Sequence, residues 1–327
     1  MNDFWISEPR VAQQLQHVRS FIVSSLEHAN PFIRDLLLER VASGGKLIRP
    51  GLVIVGSALG TEENEDAVVR IASVLEMIHI ASLIHDDIID EAKMRRGIPT
   101  INALLDPKKA VIAGDYLLSR AMSLINGIEG QLPVAVANAF SRLVVSELDQ
   151  DAGIGNFFIS QNTYIRRIAG KTAALFALSS YAGVAVAKGT ELDQIRMHRI
   201  GYCLGIAFQI QDDMLDFTGD ETKLGKEVGQ DILGGIPTIP LITALEVESK
   251  TGTQNPLRTL LSKKKRLTRK ESRRAVDLVI GYGGLEKAAT LAEIYIQRAI
   301  NDIKSLSNSE VAAQLTRLYL RLTHRQH

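Results

Sequence analysis

The chain has 327 residues, 46% hydrophobic and 23% charged, with a formal net charge of +1. That apolar content fills one large core or two ordinary ones, while the near-neutral charge and only 5% aromatic residues exclude the basic, base-stacking surface of a nucleic-acid binder. The single cysteine, Cys203, excludes an intrachain disulfide and suits a reducing compartment, the cytoplasm.

The opening "MNDFWISEPR" is acidic and lacks the apolar core of a signal segment. Apolar residues then recur every three and four positions in "VAQQLQHVRSFIVSSLEH", the period of a helix rather than a strand. Breakers follow at Asn30–Pro31 and Ser43–Gly45. The second opens "GGKLIRP", where Gly-Gly lets the backbone approach a ligand and Lys46 and Arg49 bring positive charge. The long periodic stretch "DAVVRIASVLEMIHIASLIHDDIIDEA" ends on Asp86, Asp87 and Asp90, and Arg95 and Arg96 come just after it. On a helix Asp86 and Asp90 are neighbours on one face, and like charges there repel. The stripe above them holds Ser82, Ile78 and Val74, small or apolar, so this face should turn inward. Carboxylates facing a core must be protonated, paired or metal-bound.

Beyond the break at Leu105–Pro107, "SELDQ" (Ser146 to Gln150) precedes "GKTAAL", which carries Lys171 and Thr172. This is not a P-loop, because Ile165 stands where the first glycine is needed. "KTAALFALSSYAGVAVA" is apolar nearly all round and must be buried on most faces, and it is too short and too rich in small polar residues for a membrane span. "FQIQDDMLDFTGD" repeats the aspartate spacing with Asp212, Asp213 and Asp216, and "LGKEVGQD" supplies Lys226. Two sets of hard oxygen donors suit Mg2+ held together with phosphate oxygens. Further breakers stand at Gln254–Pro256 and Gly281–Gly284. Between them "SKKKRLTRKESRR" places eight basic residues from Lys263 to Arg274, a solvated face or a membrane-surface contact. The periodic "EVAAQLTRLYLRL" closes the pattern. The expectation is about a dozen helices in one all-α domain, residues 1–327.

Taken in order, "GGKLIRP", "IHIASLIHDDIIDEAKMRRG", "GKTAAL", "FQIQDDMLD" and "GKEVGQD" resemble the consecutive motifs of the trans-prenyl diphosphate synthases, over most of the chain. The resemblance implies an all-α helical bundle of the isoprenoid-synthase type around a deep central cavity, usually a homodimer. By motif, Asp86, Asp87, Asp90, Asp212, Asp213 and Asp216 match positions that bind three Mg2+ ions gripping an allylic diphosphate. Lys46, Arg49, His79 and Arg96 match the isopentenyl diphosphate site, and Arg95, Lys171, Thr172, Gln209 and Lys226 the allylic one. Two positions depart: Ile236 stands where relatives often carry lysine, and Ser146 replaces the glycine of a helical motif.

The implied reaction condenses isopentenyl diphosphate with farnesyl or geranylgeranyl diphosphate. Product length then depends on the helix above Asp86, at about 1.5 Å per residue. Short-chain members carry an aromatic residue one turn above the aspartates; here Ala81 and Ser82 stand there, followed by Ile78 and Met77. By this ruler the product reaches about six to eight isoprene units, the size of a quinone tail. Two alternatives stay open: a catalytic subunit inactive without an unlike partner, and a shorter, geranylgeranyl synthase. A cyclase or head-to-head synthase needs no isopentenyl site, and so usually lacks "GGKLIRP" and "GKEVGQD".

Overall fold

Local chemistry fixes where the helices begin. Proline stands at the first position of α1 (Pro9–Ser25), α2 (Pro31–Ala42) and α6 (Pro107–Ile125), where its missing N–H costs nothing. Asn30, Asn64, Asp106 and Ser160 cap their helices by accepting a backbone N–H two or three residues on. Thr268 and Glu271 form a reciprocal capping box. The break read at "NP" falls between α1 and α2, where Asn30 caps the second helix and Pro31 begins it.

In this computed structural model, which describes residues 3–43, 45–62, 64–95, 97–218, 228–251, 255–262 and 267–323, the chain is all-α. A short 3-10 turn, Asp3–Trp5, precedes α1 and α2. Then come α3 (Ile48–Ser57) and α4 (Glu65–Ile89). A two-residue antiparallel hairpin, β1 (Met94–Arg95) with β2 (Ile98–Pro99), follows, with Arg95 opposite Ile98. After it run α5 (Ile101–Leu104), α6, α7 (Leu132–Ala152), α8 (Gln161–Ile168), a π-helical turn (Ala169–Ala173), α9 (Ala174–Val186) and α10 (Glu191–Thr218). The last six are α11 (Gln230–Gly234), α12 (Ile239–Thr251), α13 (Pro256–Ser262), α14 (Arg269–Gly281), α15 (Gly284–Ile303) and α16 (Ser309–Thr323). Sixteen α-helices among the described residues exceed the expected dozen. The excess comes from α5, α11 and α13, with four, five and seven residues, too short to show a period.

The residues pack as two compact units. The first comprises Met1–Asn138, Leu178–His198 and Leu306–Leu315. Its axis is α4, which packs against α1, α3 and α6. Every residue from Ile71 to Ile78 is buried, Ser73 and Glu76 included. By length and composition α4 is apolar enough to cross a membrane, as is the run Gln161–Val186. But 78% and 72% of the respective apolar windows are buried inside the protein, as in core helices.

The second unit comprises Ala139–Ala177, Arg199–Ser305 and Thr316–His327. Its core gathers Phe157, Phe217, Leu241, Leu257 and Val279 with their neighbours. There α12 packs on α8, α13, α14 and α15. Glu248 is fully buried because its carboxylate accepts from the N–H groups of Leu257 (2.6 Å) and Arg258 (2.9 Å), capping α13.

Candidate functional site

In the first unit the acidic residues sit where α4 stops. Asp90 caps the helix, its N–H bonded to the Asp86 carbonyl at 2.8 Å. Glu91 turns the chain with a φ of 51°, a left-handed conformation that ends the helix. Asp86 is half-buried, Asp90 exposed and Asp87 buried. Arg95 Nε donates to Asp87 Oδ1 at 2.6 Å, a charge-assisted bond across the turn into the hairpin.

Polar side chains brace this turn. Thr100 Oγ1 donates to the Ala92 carbonyl at 2.7 Å, and Asn102 Nδ2 reaches the carbonyls of Asp87 (3.1 Å) and Ala92 (3.2 Å). Arg40 of α2 donates to the Pro99 carbonyl. Burial pushes its guanidinium down, while Glu39 and Asp87 pull it back up. Arg96 lies outside the described residues.

His79 and Asp86 are seven residues apart, two turns on one face of α4, and both are half-buried. Ser82, between them, is half-buried and donates to the His79 carbonyl at 2.9 Å. Ala81, Ile78 and Met77 are fully buried. Lys46 and Arg49 flank Leu47, whose left-handed φ of 50° starts α3. Lys46 Nζ lies 5.2 Å from the centre of the Phe4 ring. Trp5 Nε1 donates to the Lys46 carbonyl at 2.7 Å.

In the second unit the acidic residues lie near the end of α10. Asp212 is exposed, Asp216 half-buried and Asp213 buried. Asp216 accepts the N–H groups of Gln230 and Asp231, each at 3.0 Å, so it seats the start of α11. Asp213 Oδ2 accepts from the Tyr164 hydroxyl at 2.6 Å and Oδ1 from Gln209 Nε2 at 2.8 Å. Gln209 Oε1 in turn accepts from Thr172 Oγ1 at 2.7 Å. Lys171, next to Thr172 on the π-helical turn, pairs with Glu147 at 2.9 Å. A π-turn widens the helix locally and often marks a functional position. Thr172, Gln209 and Asp213 thus meet in one network, and Asp87 meets Arg95 in another. Lys226 lies outside the described residues.

Burial pushes the Asp213 carboxyl up to about 7, against the pull of Tyr164, Gln209 and Lys171 and with the push of Asp212. Asp231 is driven well above the carboxylate range by burial, then by Asp213, Asp216 and Asp212. Such crowding is relieved by a cation. Among the described residues no three His, Cys, Asp or Glu groups form a ready metal cage. The donors at both clusters are carboxylates, which suit a hard divalent ion completed by diphosphate oxygens. The residues therefore fit Mg2+ bound with its substrate.

Three contributors went unsingled in the sequence. Asp231 was visible inside "GKEVGQD". Tyr164 and Arg40 carry no local signal, because their partners come 49 and 59 residues later in the chain. Ile236, the departure from the lysine pattern, is half-buried, and its N–H bonds to the Asp231 carbonyl at 2.8 Å.

The polyprenyl synthetase family profile matches residues 30–279. The chain is 33% identical to the Octaprenyl diphosphate synthase of Haemophilus influenzae over 310 residues, 93% of this chain and 92% of that one. It is 32% identical to the Heptaprenyl diphosphate synthase component 2 of Bacillus subtilis over 286 residues, 87% and 80% of the two chains. Two solved structures share the fold. The geranylgeranyl pyrophosphate synthase of Lactobacillus brevis superposes with a TM-score of 0.91 at 30% identity, covering 99% of this chain and all of that one. A polyprenyl synthase of Caulobacter crescentus, complexed with calcium and isoprenyl diphosphate, gives 0.87 at 27% identity, covering 97% and 98%.

Proposed function

The chain belongs to the polyprenyl synthetase family and is a trans-prenyltransferase, and from that premise we propose that it elongates farnesyl or geranylgeranyl diphosphate to a product of about six to eight isoprene units. The observation that carries the reading is the doubled acidic cluster, with Asp87 and Asp213 both buried and both held by donors.

The proposed roles follow from charge. Asp86, Asp87 and Asp90, with Asp212, Asp213 and Asp216, form the ground that holds Mg2+. When bound, Mg2+ supplies positive charge to the departing diphosphate. Arg95, Lys171 and Lys226 add fixed cationic charge where the allylic C–O bond breaks. Thr172 and Gln209 set the turn that aims Lys171. Lys46, Arg49, His79 and Arg96 hold isopentenyl diphosphate, so that its double bond faces the allylic carbon. The allylic C–O bond breaks first, the isopentenyl double bond then attacks the allylic carbon to form the new C–C bond, and the released diphosphate takes the proton from the condensed unit. No protein base is then required. Apolar walls keep water from the allylic cation.

The remaining parts of the proposal concern setting. The 1–327 chain acts as one domain: α7, α9, α10 and α16 each contribute residues to both units. It works in the cytoplasm as a homodimer, and its product serves as a quinone tail. Cys203 takes no part, since burial pushes its thiol up to about 11. Of the basic stretch 263–274, residues 263–266 lie outside the described residues; Arg269, Lys270, Arg273 and Arg274 are exposed and suit an anionic membrane surface.

A shorter, geranylgeranyl-length product rests on a different observation. Met77, Ile78 and Ala81 are fully buried, so the accessible face of α4 runs from Asp86 through Ser82 to His79 and no deeper. One experiment separates the readings. The purified chain is incubated with Mg2+, farnesyl diphosphate and labelled isopentenyl diphosphate, and the product is sized by thin-layer chromatography. Six to eight units support the longer reading by the helix ruler. A geranylgeranyl product replaces it with the shorter one, and no condensation at all overturns both.

A further inference from the structure

Tyr164 stands on α8, outside every motif read from the sequence. Its side chain is 2% exposed, and its hydroxyl donates to Asp213 Oδ2 at 2.6 Å. The other oxygen of Asp213 accepts from Gln209 Nε2 at 2.8 Å, and Gln209 Oε1 accepts from Thr172 Oγ1 at 2.7 Å. The Thr172 bond takes the amide oxygen and leaves the amide nitrogen for Asp213, so the orientation of Gln209 is set from both ends. One hydrogen-bond chain, Tyr164–Asp213–Gln209–Thr172, therefore runs from α8 across α10 to the residue beside Lys171. A phenylalanine would fill the space of the Tyr164 ring equally well. The hydroxyl serves the carboxylate.

We propose that Tyr164 is a positioning residue for the cation and diphosphate ground of the second aspartate cluster. The inference rests on reading Asp212 and Asp216 as cation-holding and Lys171 as diphosphate-holding. Asp213 adjoins Asp212 and lies three residues before Asp216 on α10, so its carboxylate stands within the second aspartate cluster. Without the Tyr164 hydroxyl, Asp213 Oδ2 is a buried acceptor lacking its donor. The carboxylate then turns toward another donor and pulls Gln209 away from Thr172.

The test measures binding, not turnover. Mn2+ is titrated into the full-length protein with inorganic diphosphate present, and free Mn2+ is read by its EPR signal. Tyr164→Phe is expected to weaken Mn2+ binding by roughly 10–100-fold, the usual loss for a partner behind a metal ligand, while the far-UV spectrum stays native. A structural hydroxyl would lower the melting temperature and leave Mn2+ binding unchanged; that result overturns the inference. Asp212→Ala is the control. If it binds Mn2+ like the parent, the cation reading itself fails. If it loses binding while Tyr164→Phe does not, only the positioning role fails. In an Asp213→Asn background, Tyr164→Phe is expected to add less than about twofold, because both changes break one chain. A full additional loss means that Tyr164 does not act through Asp213.

Discussion

Asp87 and Asp213 hold the same place in their motifs, the middle of three aspartates, and they are 4% and 6% exposed. One is tied by the Arg95 guanidinium, the other by a phenol and an amide. Their neighbours Asp86 and Asp212 keep more contact with water. Substituting Asp86 or Asp212 by Ala should therefore leave the fold intact and cut turnover by several orders of magnitude, at tenfold for each ~1.4 kcal/mol of lost transition-state stabilisation. Steady-state rates on protein with a native melting curve decide it. Activity within tenfold of the parent would remove the cation role. The spacing of the carboxylates was legible in the sequence because an i,i+4 pair is a local pattern. Their support was not: Arg40 and Tyr164 approach from α2 and α8, and only folding brings them near.

Among elements, the π-helical turn shows how a departure from the family pattern is absorbed. Ser146 stands where the pattern has glycine, and it is buried. A Cβ at Gly170 would overlap the Ser146 hydroxyl and press on the Arg142 carbonyl at 2.9 Å, so the hydroxyl takes up room that leaves only glycine opposite. The departure at Ser146 was legible in the sequence, but the dependence of Gly170 on it needs the fold. Gly170→Ala should cost about 1–3 kcal/mol by overpacking, more than the helix propensity it gains. Ser146→Gly in the same chain should recover part of that loss, the Arg142 carbonyl contact remaining. Urea midpoints of the two single variants and the double variant measure it; strict additivity would deny the contact. Helix α4 permits a second test. Ser82 lies on its half-buried face and Ala81 on a closed one. Ser82→Phe should shorten the product with little loss of stability, whereas Ala81→Phe should shorten it at a further cost of about 1–3 kcal/mol. Mass analysis of the products checks the first point and thermal melts the second. Unshortened product from both variants would mean that the tail takes another route.

For the whole molecule, the helix class was legible because long amphipathic periods survive without tertiary context; the division into two compact units was not, because it depends on which long-range faces meet. Assembly belongs to this scale. A relative is named as component 2 of a heptaprenyl synthase, so the chain's independence has to be argued from its own residues. All six aspartates are present, as are Lys46, Arg49, Arg95 and Lys171, the residue set of a catalytic rather than a purely regulatory subunit. Val111 and Ile112 on α6 are 41% and 52% exposed, and Val144, Val145 and Leu148 on α7 are 40%, 53% and 64% exposed. Val144, Val145 and Leu148 share one face of α7 within the second unit; large exposed apolar side chains on one helix face suit an interface, and a two-fold pairing of like chains is the commonest closed solution. The chain alone should therefore run in light scattering at twice its 35.9 kDa mass and condense isopentenyl diphosphate with no added protein. Replacing Val145 and Leu148 together by Lys should shift the mass toward the monomer while the helical spectrum persists. A monomeric parent that gains activity only when a second, unlike protein is supplied would identify it as the dependent subunit.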